Sequence, residues 1–350
     1  MVKQMRVLII KTSALGDVVH SLPVIDYLHQ VSPGIEIDWV VEQAFRPVLE
    51  HNPRISMIHG VCFKKWKKQP FSAETRDAVR KTIRTLRSRR YDLVFDLQGN
   101  IKSGLITRLS GCADRIGFSR EAVRESLNLW CTTRHVPFRP EDDHVTGRYL
   151  RLVSVPFGRD YHSMTLSAGI VTTAEEDAAA AAFMAALPDG MVFLFQPGTT
   201  WPTKLWREDA WIELGRLVHS RFPGATILLN WGSDGEKQEA QRIAAAVGGS
   251  IRLLPWLSIA ELIPLIRMTD LVVGGDTGPV YIAAALGTPT VSFYRATDAR
   301  LYRPFGNRNV VLQSPLPCSA CGLRKCERDE QCRGSIAVAD VLAGIEQVLA

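Results

Sequence analysis

The sequence contains no run of about 18 or more consecutive apolar residues, which excludes a conventional membrane-spanning helix. It also lacks GxGxxG after its first strand-like segment, and with it the dinucleotide-binding fingerprint. The first apolar segment, Val7–Ile10, is too short for a signal peptide and has no small-residue cleavage site. Low-complexity segments are absent as well. We therefore expect a folded protein that resides in the cytoplasm.

What the chain does contain is enough apolar residues for two domains. Its 350 residues are 46% hydrophobic and 22% charged. The net charge of +6 is uneven, since residues 1–150 hold 24 Lys and Arg against 16 Asp and Glu, whereas the remainder holds 18 against 20. The first half is therefore expected to meet an anionic partner, and nothing in the chain points to nucleic acid.

Strand-like and helix-like segments alternate twice along the chain. The first series has strands near 6–11, 36–41, 55–61, 91–97 and 114–118, with helices at 73–90 and 100–110. A polar stretch at 137–175 leads to a second series from an Ala-rich helix at 174–187 to a strand at 289–294. Such alternation predicts an α/β protein with parallel sheets, in two Rossmann-like domains facing across a cleft. The predicted domains are 1–165 and 175–335, and we expect a last helix, 336–350, to pack back on the first domain.

The turn after the strand at 271–274 has the features of a phosphate site. It reads Gly275-Asp276-Thr277-Gly278-Pro279 and opens a short helix. Proline suits a first helical turn, and the exposed N–H groups and helix dipole there attract anions. Asp276 would repel a phosphate unless it faces a hydroxyl or an ammonium group. The alternative is an ordinary loop in which Asp or Thr caps the helix.

Two further strand ends in the second series carry polar groups. Thr199, Thr200 and Lys204 follow the strand at 191–196, and Glu236 follows the strand at 225–231. Loops are normally polar, so each group alone is weak support. Together, a lysine, a carboxylate able to bind a ribose and a helix N-terminus fit a nucleoside diphosphate.

The first strand also ends in a glycine-containing turn. Ser13, Gly16 and Asp17 follow it, at the sheet edge where parallel sheets bind ligands. The alternative for Asp17 is capping of the next helix.

Lysines are dense at 64–68, where Lys64, Lys65, Lys67 and Lys68 surround a tryptophan. The charge of the first half favours binding of an anionic acceptor or membrane surface over a solvated loop. Arg120 and Arg124 are weaker candidates, and the arginines at 84–90 fit an exposed helix face.

Four of the seven cysteines, Cys318, Cys321, Cys326 and Cys332, cluster near the end of the chain. The spacing is compatible with a metal site or redox-sensitive pairing, but zinc sites usually separate two ligand pairs by a longer loop. We assign the cluster no role and no metal. The other three cysteines, Cys62, Cys112 and Cys131, are scattered and fit ordinary apolar positions.

Several of these motifs resemble the lipopolysaccharide heptosyltransferases of glycosyltransferase family nine, and most closely the heptosyltransferase I group. The similarity runs in order along nearly the whole chain. Its motifs are residues 7–23, Asp38-Trp39-Val40-Val41-Glu42, Asp96-Leu97-Gln98-Gly99 with Lys102-Ser103, residues 199–206, and Gly275-Asp276-Thr277-Gly278.

The resemblance implies a GT-B fold and inverting heptose transfer from ADP-heptose to the Kdo-lipid A inner core, without cofactor or essential metal, at the cytoplasmic face of the inner membrane. Asp17 would be the general base and Lys204 would neutralise the leaving diphosphate. The donor site would comprise Thr199, Thr200, Glu236, Leu257, Asp276, Thr277, Gly278 and Tyr281. The acceptor site would comprise Ser13, Gly16, Lys64, Lys65, Lys67, Lys68 and Arg120.

The chain departs from the heptosyltransferase I pattern at Tyr281, where that group has histidine, and in its cysteine cluster. Three alternatives therefore stay open. They are a heptosyltransferase II or relative that uses another donor sugar, a GT-B nucleotide-sugar epimerase, and a non-catalytic nucleotide-sugar binder. The lysine cluster disfavours the epimerase, and the presence of both Asp17 and Lys204 disfavours the binder.

Overall fold

The computed structural model describes residues 4–350, which divide into two compact units, 4–171 and 172–350. Each unit is built on one six-stranded parallel sheet with helices in its crossovers. The predicted pair of Rossmann-like domains is therefore confirmed. The division falls between residues 171 and 172, inside the gap between the predicted domains 1–165 and 175–335.

The first sheet has the order β3-β2-β1-β4-β5-β6. Its strands are β1 (Arg6–Ile10), β2 (Glu36–Glu42), β3 (Met57–Val61), β4 (Leu93–Asp96), β5 (Arg115–Phe118) and β6 (Arg134–Val136). Strand β1 pairs with both β2 and β4, and its residues Val7–Ile10 are fully buried. An apolar run of this kind is expected of a strand covered on both faces. Strands β2 and β3 are added on one side of β1, and strands β4 to β6 on the other, so the strand order reverses between β1 and β4. Such a reversal point is where folds of this kind bind ligands.

Helices join these strands. They are α1 (Leu15–Ser21), α2 (Pro23–Val31), α3 (Phe63–Lys68), α4 (Ala73–Arg89), α5 (Ile101–Leu109) and α6 (Val145–Ser154), with short 3-10 helices at Gln43–Val48 and Ser126–Trp130. Helix α6 lies inside the polar stretch 137–175, where the sequence reading placed no helix. Its buried residues include Tyr149, Leu152 and Val153, and it packs on α1 and α2.

The second sheet repeats the arrangement, with the order β12-β11-β10-β7-β8-β9. Its strands are β7 (Val192–Gln196), β8 (Thr226–Leu229), β9 (Ile251–Leu253), β10 (Leu271–Gly275), β11 (Thr290–Tyr294) and β12 (Asn309–Gln313). Strand β10 pairs with β7 on one side and β11 on the other. The corresponding reversal therefore lies between β7 and β10.

The helices of the second unit are α7 (Ala174–Ala185), α8 (Glu208–Arg221), α9 (Asp234–Val247), α10 (Ile259–Met268), α11 (Gly278–Leu286), α12 (Ala299–Tyr302), α13 (Asp329–Arg333) and α14 (Val338–Leu349), with a 3-10 turn at Pro202–Lys204. The start of α10 carries a capping box formed by Ser258 and Glu261, a motif readable in the sequence.

Helix α14 packs differently from the expectation that it would return to the first domain. Its residues Val341 and Ile345 are fully buried in the core of the second unit. Gly344 allows the close approach, because a Cβ there would lie 2.9 Å from Cγ1 of Val310 on β12. The apolar face of α14 therefore covers β11 and β12.

No helix within residues 4–350 is both long enough and apolar enough to cross a bilayer.

Candidate active site and substrate-binding residues

Asp17 lies in the first turn of α1, immediately after the carboxyl end of β1. Its Oδ2 accepts the N–H of the N-cap residue Ala14 at 3.1 Å, so Asp17 takes part in capping the helix, which was the alternative to a functional role. The side chain is 27% exposed, and its Oδ1 accepts the hydroxyl of Tyr149 at 3.3 Å. Asp17 is thus fixed in position and still open to a ligand.

A buried lysine stands beside this carboxylate. Lys11 ends the apolar run of β1, and its Nζ lies 4.0 Å from Oδ2 of Asp17. The same Nζ donates to the carbonyl of Leu97 at 3.3 Å and lies 4.6 Å from the ring centre of Tyr149. Sequence reasoning assigned no role to Lys11 or Tyr149. A charged residue at the end of a buried strand was the available signal for Lys11, whereas Tyr149 comes from the unpredicted helix α6.

These neighbours set the charge of the cluster. Burial by itself would raise the pKa of Asp17, but the charge on Lys11 and the N–H of Ala14 outweigh it, and the pKa lies below its usual value. Burial lowers the pKa of Lys11, and Asp17 partly opposes that shift. Asp17 is therefore an ionised carboxylate at neutral pH.

The loop that carries Ser13 is braced from β4. Oε1 of Gln98 accepts the backbone N–H groups of Thr12 and Ser13, both at 3.0 Å. Asp96 is fully buried, and its Oδ1 accepts the N–H groups of Gln98 and Gly99 at 3.0 Å each. The motif Asp96-Leu97-Gln98-Gly99 thus holds the Ser13 to Asp17 loop from the neighbouring strand.

The predicted acceptor-site lysines lie on α3, which follows β3. Phe63 and Trp66 anchor this helix on the core of the first unit, and the four lysines are exposed. Lys65 pairs with Glu74 at 2.6 Å. Among residues 4–350 the other three, Lys64, Lys67 and Lys68, form no ion pair. Arg120 is exposed in the loop after β5, and Arg124 in the same loop lies near enough to lower the pKa of Lys11.

In the second unit Lys204 and Asp276 meet across the reversal point. Lys204 ends the 3-10 turn after β7, and Asp276 follows β10. Nζ of Lys204 lies 2.7 Å from Oδ2 of Asp276, and both side chains are largely buried. A Cβ on Gly275 would lie 3.2 Å from the carbonyl of Lys204, so glycine permits the close approach of the two loops. The ammonium group that Asp276 was expected to need therefore belongs to Lys204.

Tyr281 orients that carboxylate from the other side. Its buried hydroxyl donates to Oδ1 of Asp276 at 2.5 Å and lies 3.3 Å from the hydroxyl of Tyr294. Burial, together with the charge of Asp276, raises the pKa of Tyr281 well above its usual value, so the hydroxyl stays protonated. Tyr281 was placed in the donor site as a departure from the heptosyltransferase I pattern, and its observed partner is Asp276.

Helix α11 begins at the same place, as the turn sequence predicted. Thr277 is the N-cap residue in an extended conformation, Gly278 is the first helical residue, and Gly287 ends the helix with a positive φ of 80°. The Thr277 side chain makes no capping hydrogen bond. The first turn therefore presents N–H groups and a helix dipole suited to a phosphate.

The remaining predicted donor residues lie at the carboxyl ends of β7, β8 and β9. Thr199 is half-buried and Thr200 exposed. Oε2 of Glu236, in the first turn of α9, accepts the N–H of Gly232 at 2.6 Å. The Glu236 side chain fills the space where a Cβ on Gly198 would stand. Leu257 is half-buried between β9 and α10.

The cysteine-rich segment contributes residues to the Lys204 loop. The ring centre of Trp201 lies 4.5 Å from Nζ of Lys204 and 4.4 Å from the guanidinium carbon of Arg324. The hydroxyl of Thr203 donates to the carbonyl of Leu323 at 2.7 Å. Sequence reasoning missed Arg324, because nothing local indicated that its segment returns to this loop.

The cysteines themselves lie at or near the surface of that segment. Cys318 and Cys321 are exposed, Cys326 and Cys332 are half-buried, and all four are free. Residues 4–350 contain no group of three or more His, Cys, Asp or Glu side chains arranged to hold a metal ion.

Comparison with known proteins identifies the family. The sequence model described as glycosyltransferase family 9 (heptosyltransferase) matches residues 79–331, more than half of the chain. The chain belongs to glycosyltransferase family 9. This family 9 protein is 33% identical over 322 residues to lipopolysaccharide heptosyltransferase 1 of Pseudomonas aeruginosa, covering 92% of this chain and 87% of that one.

Solved structures of Escherichia coli heptosyltransferase WaaC resemble the family 9 protein over nearly its full length. The structure with ADP has a TM-score of 0.80 at 28% identity and covers 98% of this chain and 100% of that one. The structure with ADP-2-deoxy-2-fluoro heptose has a TM-score of 0.75 at 29% identity, with coverage of 98% and 99%. The resemblance read from the sequence is thus confirmed, as are the GT-B fold class and the assignment as a glycosyltransferase.

Proposed function

We propose that this family 9 glycosyltransferase moves heptose from ADP-heptose to a Kdo-lipid A acceptor of the lipopolysaccharide inner core, with inversion at the anomeric carbon. The observation that carries the proposal is the Lys204–Asp276–Tyr281 cluster at the N-terminus of α11, in a chain similar to heptosyltransferases solved with ADP and an ADP-heptose analogue.

On the donor side, Lys204 and the first turn of α11 would stabilise the diphosphate as it leaves with the electron pair of the broken C–O bond. Thr199, Thr200 and Arg324 would contact the same group from the β7 side. Because a lysine and a helix N-terminus already supply positive charge, we propose that no metal is needed for this step.

The ion pair between Asp276 and Lys204 would also help to stabilise the leaving diphosphate. Asp276 and Tyr281 fix the position of Lys204, and the remaining lone pairs of Asp276 would accept hydrogen bonds from heptose hydroxyls. Glu236 would bind the ribose and Leu257 would line the adenine pocket.

On the acceptor side, Asp17 would take the proton from the attacking hydroxyl as the new glycosidic bond forms. The structural support is an ionised, partly exposed carboxylate at the ligand-binding edge of the first sheet. Ser13 and Gly16 lie in the same loop. The lysines of α3 and Arg120 would attract the acidic groups of the acceptor. We therefore place the enzyme at the cytoplasmic face of the inner membrane.

The test is ADP release on mixing the purified protein with ADP-heptose and Kdo-lipid A, with and without EDTA. Acceptor-dependent release that survives the chelator is the expected result. Lys204→Met should lower both turnover and donor affinity, whereas Lys81→Met is a matched control because Lys81 is exposed on α4 of the first unit and is assigned to no binding site. Release that needs a divalent cation would overturn the metal-independent mechanism.

Tyr281 favours a second candidate, a related family 9 transferase that uses another donor sugar, because a tyrosine stands where the resemblance to heptosyltransferase I implies a histidine. A panel of nucleotide sugars offered with the same acceptor separates the two. Turnover with a different donor, and none with ADP-heptose, would establish the second candidate.

A further inference from the structure

Four large apolar side chains are exposed close together in the sequence of the first unit. The exposed fractions are 40% for Ile101, 51% for Leu105, 60% for Leu127 and 81% for Trp130. Scattered apolar residues on a surface are ordinary, but a contiguous set points to a binding surface. Whether these four are contiguous depends on how α5 and the 3-10 helix Ser126–Trp130 pack.

The two helices lie side by side. Nδ2 of Asn128 donates to the carbonyl of Asn100, the N-cap residue of α5, at 2.8 Å. A Cβ on Gly104 would lie 2.8 Å from the same Nδ2, so the side of α5 that carries Gly104 faces the 3-10 helix. Residues four apart share a helix face, which places Ile101 and Leu105 next to that contact. Their exposed side chains therefore adjoin those of the 3-10 helix.

Positive charge borders this apolar group. Lys102 and Arg108 are exposed on α5. Nζ of Lys102 lies 5.4 Å from the ring centre of Phe63, the first residue of α3, so the border continues into the lysines of that helix. The nearby carboxylate of Glu125 accepts the N–H of Ile101 at 2.8 Å and is thus engaged by the helix start.

The location relates this surface to the first-unit site. Helices α3 and α5 and the segment 119–130 follow β3, β4 and β5, respectively, and Asp17 follows β1. In a parallel sheet these positions lie at one edge. A partner bound there would sit on the side of the unit where the proposed acceptor reacts.

We propose that Ile101, Leu105, Leu127 and Trp130, bordered by Lys102 and Arg108, dock the first unit on an anionic lipid bilayer. Tryptophan favours the headgroup level of membranes, leucine adds apolar insertion, and lysine and arginine are attracted to anionic lipid. The choice of a bilayer rests on the proposed function, because the proposed acceptor is a lipid.

Binding to vesicles tests the proposal without donor or acceptor. The full-length protein is floated with vesicles of phosphatidylglycerol and phosphatidylethanolamine, or of phosphatidylcholine alone. We expect binding to the anionic vesicles that weakens with salt. Leu127→Ser/Trp130→Ser should lower partitioning at least about tenfold, since one buried leucine-sized side chain contributes that much. Lys102→Ser/Arg108→Ser should lower binding to the anionic vesicles and leave binding to phosphatidylcholine vesicles unchanged.

Controls and contrary outcomes separate this proposal from the proposed function. Met191→Ser/Phe305→Ser removes exposed apolar side chains from the second unit and should bind as the unsubstituted protein does. Equal binding by Leu127→Ser/Trp130→Ser would overturn the proposal. The proposal would also be overturned if the protein bound no vesicles but self-associated, and if Leu127→Ser/Trp130→Ser abolished that self-association. A second copy of the chain would then cover the surface. If the protein binds vesicles but transfers no heptose, the docking surface is supported and the proposed function is contradicted.

Discussion

Replacing Asp17 with asparagine tests the proposed base while keeping the shape of the side chain. The amide oxygen can still accept the Ala14 N–H or the Tyr149 hydroxyl, but an amide cannot take a proton from the acceptor. We expect kcat to fall by about 10²- to 10⁴-fold, the usual contribution of a general base. Donor affinity should change little, because the proposed donor contacts lie in the second unit.

The structure also sets the expected loss of stability. Asp17 stands 4.0 Å from the buried ammonium group of Lys11, a separation at which two charges attract by roughly 4 kcal/mol in a partly screened environment. The Leu97 carbonyl and the Tyr149 ring stay near the ammonium and offset part of that loss. We expect the free energy of unfolding to fall by about 1–3 kcal/mol, the range for removing a charged hydrogen-bonding group.

The assay is acceptor-dependent ADP release at saturating substrates, with donor affinity measured by calorimetry and folding by urea denaturation. Asp26→Asn is the matched control: Asp26 pairs with Arg54 at 2.5 Å and accepts the N–H of Ser167, away from Asp17. It should keep the activity of the unsubstituted enzyme. Near-normal kcat in a folded Asp17→Asn variant, or lost donor affinity with retained turnover, would refute the assigned role.

Three further predictions concern single side chains. Lys11→Met removes the main charge that lowers the pKa of Asp17, so the acidic limb of the kcat–pH profile should move to higher pH. If the limb does not move, Asp17 is not the group whose protonation causes it. Tyr281→Phe removes the 2.5 Å hydrogen bond to Asp276, so donor KM should rise about tenfold or more in a folded protein, and unchanged donor kinetics would count against the positioning role. Arg295→Met removes the buried guanidinium that donates to Oδ1 of Asp329 at 2.7 Å, while Arg333 still pairs with Oδ2 of Asp329; urea unfolding should show a loss of about 1–3 kcal/mol, and an unchanged free energy of unfolding would contradict the argument.

The long elements of both units could be predicted because buried parallel strands appear as unbroken apolar runs. Strand β7, Val-Phe-Leu-Phe-Gln, and helix α9 after Ser233 are examples. Strand β6 has three residues, and β12 lies at a sheet edge with half-buried residues, so neither gives such a run. Helix α6 stands among prolines and acidic residues that outweighed its own periodicity.

The candidate site was predictable where a polar residue follows an apolar strand in the sequence. Asp17, Lys204 and Asp276 all have this pattern. Their partners come from distant segments, and no local pattern indicates them. Tyr149 is 132 residues from Asp17, and Arg324 reaches Trp201 from a segment that has no strand or helix at that point. The order of strands in the sheet determines which distant segments become neighbours, and no short stretch of the sequence reveals that order.

Each unit places a lysine beside an aspartate near the reversal point of its sheet. In the first unit Lys11 is buried, and Asp17 is the partly exposed member. In the second unit Asp276 is held by both Lys204 and Tyr281, and the lysine faces the N-terminus of α11 that suits a phosphate. We infer that Lys11 sets the charge state of Asp17 in the first unit, and that Asp276 sets the position of Lys204 in the second. Neutralising Lys11 should therefore change the pH dependence of turnover, whereas neutralising Asp276 should change donor binding, because a lysine without its carboxylate loses its position rather than its charge.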